Sequence, residues 1–233
     1  MTILITGANK GIGYAMAEQL VKAGHHVLIG ARNAMRGNAA MEKLRKFGKA
    51  DYVPLDLSEN KTLQQQAKHI GETFPELSVL INNAAIPGDM NKVGWEFEVE
   101  ELMAVQQVNF FGAFVVSKTL LPVLIANRGT ILNVSIPIEP ADWFNPFAYQ
   151  TSKAPLNVFT KSWGLRFEKE NIPVTIFAVM PGATATDLNG HKVDEIFKTP
   201  ARAAELILQY LFDGQNHNRQ VLNYDGKIVN YSI

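Results

Sequence analysis

Thr2-Ile-Leu-Ile-Thr6, followed directly by Gly7-Ala-Asn-Lys-Gly11-Ile-Gly13, is the stretch that decides the fold of this 233-residue chain. Its first half is a short apolar, β-branched run, which is typical of a buried strand. Its second half is a glycine-rich turn, after which a helical pattern of apolar residues continues to Ala23. The apolar run at 27–31 predicts the next strand. The beginning of the chain therefore predicts a strand–helix–strand unit with parallel strands.

The glycine-rich turn suits a phosphate ligand. Glycines let a backbone approach a ligand closely, and the N-terminus of the following helix offers free N–H groups and the positive end of a dipole. The spacing is GxxxGxG and not the GxGxxG of many dinucleotide sites, and a tight turn without a ligand would also explain the glycines. The position of the turn at the first strand-to-helix junction favours a dinucleotide.

The end of the second predicted strand indicates which dinucleotide binds. An acidic side chain there would bind the ribose 2′-hydroxyl, but the chain reads Gly30-Ala-Arg-Asn33, and Lys10 lies in the glycine turn. The guanidinium of Arg32 offers a planar fork to phosphate oxygens, and the ammonium of Lys10 offers a point charge. This pattern favours the 2′-phosphate of NADP(H). The alternative is that both side chains are solvated surface cations.

Helix and strand patterns alternate along the rest of the chain. We predict strands at 50–55, 77–81, 129–135, 174–179 and 221–222, and helices at 34–47, 58–73, 99–126 and from about 149. The alternation predicts one α/β domain, residues 1–233, with a doubly wound, Rossmann-like parallel sheet of about seven strands and helices on both faces. Asp56 and Asn83 follow predicted strands, at the edge where such sheets bind ligands.

Composition excludes several classes of function. The 22 basic and 22 acidic residues cancel without long runs of one sign, so neither nucleic acid nor an anionic membrane is an expected partner. The absence of cysteine removes disulfides and thiolate ligands, and the histidines show no metal-ligand spacing, so no metal site is predicted. The start of the chain shows no signal-peptide pattern, and residues 110–126 predict a buried helix and not a membrane span. We therefore expect a cytoplasmic protein.

Tyr149-Gln-Thr-Ser-Lys153 has the spacing of an acid–base pair. Residues four apart share one face of a helix, so the ammonium of Lys153 would lie near the phenol of Tyr149. A cation there would lower the pKa of Tyr149, and the tyrosine could then exchange a proton with a carbonyl or alcohol oxygen. Taken alone, the pair is more often a chance pair on a surface helix. Asn109, in the apolar middle of the long predicted helix, needs partners, and it either braces the backbone or serves an active site.

Six motifs, in this order, resemble the short-chain dehydrogenase/reductase family over essentially the whole chain. They are Thr6-Gly-Ala-Asn-Lys-Gly-Ile-Gly13, Asn82-Asn-Ala-Ala85, Asn109, Asn133-Val-Ser135, Tyr149-Gln-Thr-Ser-Lys153 and Pro181-Gly-Ala-Thr-Ala-Thr186. Three phrases look most like the NADPH-dependent, carbonyl-reductase-like branch: Asn9-Lys-Gly11, Ala31-Arg-Asn33 and Asn109-Phe-Phe-Gly112.

The resemblance implies an NADP(H)-dependent oxidoreductase that transfers hydride between nicotinamide and a small carbonyl compound or secondary alcohol. Tyr149 would exchange the proton on oxygen, Lys153 would lower the pKa of the tyrosine and hold the nicotinamide ribose, and Asn109 would anchor a water-linked proton path to Lys153. The implied catalytic residues are Tyr149, Lys153, Asn109 and Ser135. The implied cofactor-binding residues are Gly7, Asn9, Lys10, Gly11, Ile12, Gly13, Arg32, Asp56, Leu57, Asn83, Ala84, Ala85, Tyr149, Lys153, Pro181, Gly182, Thr184 and Thr186.

The resemblance also implies a place for the substrate and a mode of assembly. Loops at about 85–98, 136–148 and 183–198 would form the substrate site. The helices at 99–126 and near Tyr149 would pair subunits into a homodimer or homotetramer. Three aromatic residues before the tyrosine would either wall an apolar substrate pocket or pack the loop onto the core: Trp143, Phe144 and Phe147.

Three positions depart from the family pattern. The substrate-orienting serine is expected thirteen residues before the tyrosine, where this chain has Ile136. Ser135 lies one residue earlier, where a strand points its side chain to the opposite face unless the strand end is bulged. Ala85 adds a methyl group where the family commonly has glycine. Pro155 inside the helix predicts a kink near Lys153.

Two classes of function stay open. The intact Tyr149, Lys153 and Asn109 favour an NADP(H)-dependent enzyme acting on a small apolar or aromatic carbonyl compound or alcohol. The isoleucine at position 136 favours a low-turnover NADP(H)-binding redox sensor or partner-binding protein.

Overall fold

The apolar runs become seven parallel strands of one sheet in the computed structural model, which describes residues 1–142, 145–186 and 197–229. The strands are β1 (Thr2–Thr6), β2 (His26–Ala31), β3 (Ala50–Pro54), β4 (Leu77–Asn82), β5 (Thr130–Val134), β6 (Thr175–Met180) and β7 (Val221–Asn223). Their order across the sheet is β3-β2-β1-β4-β5-β6-β7. The predicted α/β class with a Rossmann-like parallel sheet is confirmed, while the assignment of residues 1–233 to a single domain stays a prediction.

Helices cover both faces of the sheet because successive residues of a strand point to opposite sides. They are α1 (Gly11–Lys22), α2 (Ala34–Leu44), α3 (Asn60–Thr73), α4 (Val99–Gln106), a π-helical segment (Gln107–Gly112), α5 (Ala113–Ala126), α6 (Phe147–Glu170) and α7 (Pro200–Phe212). Ile3 and Ile5 of β1 pack with α1 and α7, whereas Leu4, between them, packs with α3, α5 and α6. The alternation within β1 thus divides the core into two layers.

The strand order of the sheet changes direction at β1, which is its topological switch point. Strands β2 and β3 extend the sheet on one side of β1, and β4 to β7 extend it on the other. In open parallel sheets, ligands bind outside the carboxyl ends of the strands at such a switch. Gly7 and Asn83 directly follow β1 and β4, so this edge is the expected cofactor side.

The predicted helix 99–126 is one continuous helical run, and only its inner side is buried. Val116, Leu120 and Leu124 lie in the core, whereas Val99 and Met103 are 64% and 63% exposed. By length and apolar character alone this run could span a membrane, a test that core helices of globular proteins also pass. The prediction of a buried helix is correct for the inner side, and the outer side is an exposed apolar surface.

Local hydrogen bonds explain one shift of a predicted boundary. The helix predicted from Ser58 begins at Asn60, because the side chain of Glu59 accepts hydrogen bonds from the first N–H groups of α3. Ser58 instead donates its N–H and its hydroxyl to Asp56 Oδ1, at 3.0 and 2.7 Å. An aspartate that bonds the backbone two residues later favours a turn over a helix.

Candidate active site

The turn after β1 has a shape that requires glycine. Gly7 and Gly11 have φ angles of 68° and 58°, in the left-handed region that other residues rarely adopt. A Cβ atom on Gly13 would lie 2.5 Å from the carbonyl oxygen of Gly7, so a side chain there would push the turn open. The N-cap residue of α1 is Lys10, whose side chain has no hydrogen-bond acceptor. The helix therefore presents its N-terminal N–H groups and a cation at the same point, which suits an anion.

Thr6 joins the two strand ends at the switch point. Its Oγ1 accepts hydrogen bonds from the N–H groups of Asn83 and Ala84, at 2.9 and 3.0 Å. The side chain of Asn83 donates back to Thr6 O at 2.9 Å. Thr6 belongs to the first motif, but the sequence predicts no role for it. The signal was a hydroxyl at the last position of β1, directly before the first glycine of the turn.

The residue that follows β2 is an arginine whose side chain is exposed to solvent. Arg32 and Lys10 are both exposed. Asn33 caps α2 by accepting a hydrogen bond from the N–H of Arg36 at 2.9 Å. Asp56, at the end of the next strand, uses its carboxylate in the turn with Ser58. The edge of the sheet at β2 therefore presents positive charge, as the sequence predicts for a site that receives a 2′-phosphate.

Asn109 joins the loop after β4 to α6. It lies in the π-helical segment, is 1% exposed, and accepts a hydrogen bond from the N–H of Ile86 at 2.8 Å. Its Nδ2 donates to Ile86 O and to Ser152 Oγ, both at 2.8 Å. Both amide hydrogens are thus used within the protein. The sequence leaves open whether Asn109 braces the backbone or serves an active site, and these hydrogen bonds show that it braces the backbone. A water-linked proton path through Asn109 stays a prediction.

Tyr149 and Lys153 share one face of α6, as their spacing predicts. The Nζ atom of Lys153 lies 5.7 Å from the centroid of the Tyr149 ring. Lys153 is 2% exposed and donates to the carbonyl oxygen of Val134, at the end of β5, at 2.9 Å. Helix α6 continues without interruption past Pro155. The pair is therefore held at the carboxyl edge of the sheet.

The pKa shifts of this pair differ from the expectation. Burial raises the pKa of Tyr149 from 10.0 to about 12, and burial lowers the pKa of Lys153 from 10.5 to about 8. The expected net fall in the pKa of Tyr149 is therefore wrong for the protein chain by itself, whereas an influence of Lys153 on the phenolate stays a prediction. The physical reason is that loss of solvent disfavours the phenolate and the ammonium alike. Spacing along a helix indicates that two groups are close, but it does not indicate how deeply they are buried.

Ser135 turns its hydroxyl away from the edge of the sheet. The side chain is 1% exposed, and its Oγ donates to Asn157 Oδ1 at 2.7 Å. The β5–β6 register runs without a shift from Thr130 to Val134, and the N–H of Ser135 continues it by donating to Val179 O. The bulge that would rotate Ser135 is therefore absent from this part of β5. Ile136 follows and is half-buried. The catalytic role predicted for Ser135 is untested, and this geometry does not favour it.

Thr184 and Thr186 are buried, and Thr186 lies beside the start of α1, where a Cβ atom on Gly11 would lie 3.8 Å from its methyl carbon. Both are 8% exposed, and Thr184 Oγ1 donates to Gly182 O at 3.1 Å. A cavity of about 560 Å³ separates Thr186 from the first turn of α7 and is also lined by Gly11 and Tyr14. This places Thr186, one of the two predicted carboxamide-binding threonines, next to the glycine-rich turn.

The loops predicted to form the substrate site are described in part. The ring of Phe147 packs on Phe97 with centroids 6.1 Å apart, and a Cβ atom on Gly94 would lie 3.1 Å from the Phe147 ring. Loop 85–98 thus packs against the start of α6, directly before Tyr149. Trp143, Phe144 and residues 187–196 of the other two loops lie outside the described residues.

A family model confirms what the motifs and the geometry indicate. The model of the short chain dehydrogenase family matches residues 1–196. The chain belongs to this family. This short-chain dehydrogenase is accordingly an oxidoreductase of a family that uses a nicotinamide cofactor.

Two curated relatives show how far the similarity extends. The short-chain dehydrogenase anuI of Penicillium roqueforti is 32% identical over 209 residues, which cover 81% of this chain and 80% of that protein. The 3-oxoacyl-acyl-carrier-protein reductase FabG of Aquifex aeolicus is 32% identical over 225 residues, which cover 88% of this chain and 87% of that protein.

Solved structures share the fold over the whole chain. The NADPH-bound carbonyl reductase from chicken fatty liver has a TM-score of 0.87 at 23% identity, covering 99% of this chain and 98% of that one. The alcohol dehydrogenase of the archaeon Thermococcus sibiricus, in complex with 5-hydroxy-NADP, has a TM-score of 0.82 at 25% identity, covering 100% and 97%. At such low identity the likeness shows the shared fold.

The short-chain dehydrogenase brings most of the predicted site residues to one edge of its sheet. The glycine-rich turn, Asn83, Asn109 and the Tyr149–Lys153 pair all lie at the carboxyl ends of β1, β4 and β5. Their individual roles in binding and catalysis stay predictions. Ser135 is the predicted catalytic residue whose hydroxyl is engaged elsewhere.

Proposed function

We propose that this short-chain dehydrogenase is an NADP(H)-dependent reductase of small apolar carbonyl compounds, with Tyr149 as the proton donor. The observation that carries the proposal is the pairing of half-buried Tyr149 with buried Lys153 at the edge where the sheet binds ligands. The match to the short chain dehydrogenase family supports the hydride chemistry, which the nicotinamide supplies when it is bound.

The residues at the switch point fit a dinucleotide with a 2′-phosphate. A Cβ atom on Gly13 would clash with the carbonyl oxygen of Gly7, so the turn requires glycine, as do the turns that let a backbone approach a pyrophosphate closely. Exposed Lys10 and Arg32 supply the charge that a 2′-phosphate requires, and residues 30–33 at the end of β2 include no carboxylate that would bind a ribose hydroxyl. The NADPH and 5-hydroxy-NADP in the two similar structures support the same choice.

The pKa values of the pair favour carbonyl reduction. With a pKa of about 12, Tyr149 holds its proton at neutral pH and can donate it to the oxygen of a carbonyl that receives hydride. With a pKa of about 8, Lys153 is roughly nine-tenths charged at pH 7. The charge of Lys153 then stabilises the phenolate that forms when Tyr149 gives up its proton.

The surroundings of Tyr149 favour an apolar substrate. Phe97 packs on Phe147, which precedes the tyrosine by two residues in α6, and the half-buried Ile136 occupies the position of the family's polar side chain. A site with a tyrosine hydroxyl among apolar groups suits a compound with one polar atom, such as an aldehyde, ketone or quinone.

Steady-state oxidation of NADPH over a panel of aldehydes, ketones and quinones tests the proposal. We expect turnover of at least one apolar carbonyl compound and its loss in Tyr149→Phe, which keeps the ring and removes the proton donor. Equal turnover in Tyr149→Phe would overturn the assigned role.

A second candidate function is a redox sensor that binds NADP(H) with little turnover. The observation that favours it is that neither position 135 nor position 136 offers a polarising hydroxyl, since Ile136 has none and Ser135 donates to Asn157. The sensor would bind NADPH tightly, and no compound of the panel would cause it to oxidise NADPH.

A further inference from the structure

Thr151 stands between Tyr149 and Lys153 in the chain, and its carbonyl oxygen cannot receive its usual hydrogen bond. In an α-helix the N–H of residue i donates to the carbonyl of residue i−4. The donor for Thr151 would be residue 155, which is proline and has no N–H. Helix α6 nevertheless runs from Phe147 to Glu170 with Pro155 inside it.

A side chain from another helix takes the place of the missing donor. Gln106 Nε2 donates to Thr151 O at 3.0 Å, an ordinary length for such a bond. Gln106 is the last residue of α4, and it is half-buried. The bond therefore ties the end of α4 to the turn of α6 that carries the proposed proton donor.

A second bond from the same segment reaches the same turn. Asn109 follows Gln106 by three residues, so the two side chains lie on one face of the helical run. Asn109 Nδ2 donates to Ser152 Oγ at 2.8 Å, and Ser152 Oγ donates to Tyr149 O at 2.7 Å. Adjacent residues of α6, Thr151 and Ser152, are thus each held from outside the helix.

We propose that Gln106 is a positioning residue: it replaces the donor lost at Pro155 and fixes the turn that holds Tyr149 and Lys153. Without the amide, the Thr151 carbonyl would be left unsatisfied beside a proline, and a helix bends most readily at such a point. A bend there would move the phenol relative to the ammonium, and a displacement of about 1 Å can cost about 100-fold in rate. The catalytic part of this inference rests on the proposed function.

A double-mutant cycle with Pro155 tests the inference. Gln106→Met keeps the length of the side chain and removes the donor, while Pro155→Ala restores the backbone N–H to Thr151. In backbone hydrogen exchange we expect the amides of Ser152 and Lys153 to exchange ~10-fold faster in Gln106→Met, which corresponds to about 1.4 kcal/mol. In the Pro155→Ala background the same substitution should change exchange less than ~2-fold, because the carbonyl has a donor of its own.

The same cycle has a catalytic readout. Gln106→Met should lower kcat for carbonyl reduction ~10-fold, shift the alkaline limb of the pH profile and leave KM for NADPH within ~2-fold, since the residue contacts neither ligand. Pro155→Ala should restore both kcat and the profile.

Asn127→Leu is the matched control. Asn127, directly after the helical run, donates from Nδ2 to the carbonyls of Pro75 and Leu77 at 2.8 and 3.2 Å, which are also bonds from a side-chain amide to a backbone carbonyl. The control should lower thermal stability without changing exchange at Ser152 and Lys153 or the pH profile.

Two results would overturn the inference. One is that Gln106→Met speeds amide exchange by the same factor in the wild-type protein and in the Pro155→Ala variant. The other is an unchanged kcat and pH profile in Gln106→Met of an enzyme that turns over. If the wild-type protein reduces no carbonyl compound, the proposed function fails, and the exchange cycle still decides whether Gln106 replaces the missing donor.

Discussion

Replacing Ile136 by serine should raise the turnover of an apolar ketone. The half-buried isoleucine stands thirteen residues before Tyr149 and has no hydrogen-bond donor, while the neighbouring Ser135 is 1% exposed. One donor aimed at a developing oxyanion typically contributes ~10²–10³ in turnover. If Ile136→Ser places its hydroxyl at the substrate carbonyl, kcat should rise by an amount that approaches this range.

Ser135→Ala is the matched control for this gain. Its Oγ donates to Asn157 Oδ1 at 2.7 Å, so removing it leaves a buried acceptor without that donor. We expect a loss of about 1–2 kcal/mol in the free energy of unfolding and a change in kcat of less than ~3-fold. Tyr149→Phe should abolish turnover in both backgrounds.

Steady-state NADPH oxidation, followed by absorbance, together with urea unfolding, measures both effects. The reasoning is refuted if Ser135→Ala lowers kcat by two orders of magnitude while Ile136→Ser changes nothing. That result would mean that Ser135 leaves Asn157 and rotates toward the substrate during the reaction.

Three further predictions concern the cofactor, the assembly and the alkaline stability. NADPH should bind at least ~10-fold more tightly than NADH, since each charge-assisted bond to phosphate contributes about 1.5–3 kcal/mol, and Arg32→Ala should narrow this gap; equal affinities in a fluorescence titration would contradict it. The chain should form a homodimer or homotetramer through α4, α5 and α6, and Val158→Glu, at a position 67% exposed on α6, should dissociate it; a mass near 25.8 kDa for the wild type by light scattering would count against this. The pKa of Lys153 is about 8 in the folded protein and 10.5 ordinarily. Between these pH values the unfolded chain therefore binds more protons than the folded one. The contribution of Lys153 to the free energy of unfolding accordingly rises with pH across that window, by up to about 3 kcal/mol. Urea unfolding at pH 8 and pH 10 should show about 2 kcal/mol of this increment in the wild type and none in Lys153→Met, and an equal change in both would refute the assignment.

Sequence by itself determined the elements and the edge of the sheet where the chemistry lies. Alternation within Thr2–Thr6 is a local property, because neighbouring residues of a strand point to opposite faces wherever the strand is placed. The glycine turn is local as well, since steric limits on φ act within one residue. Motif order then located Asn83, Asn109 and Tyr149 at the correct strand ends and helices.

Tertiary structure alone decided how the side chains at that edge are used. Ser135 bonds Asn157, Thr6 bonds the N–H of Asn83, and Gln106 bonds the carbonyl of Thr151, and each pair is far apart in the chain. The expected pKa of Tyr149 was wrong for the same reason, because spacing reports a neighbour and says nothing of the solvent removed by the rest of the protein. Hydrogen-bond partners and desolvation depend on what the whole chain packs around a group, whereas strand alternation and turn geometry depend on the residues next to it.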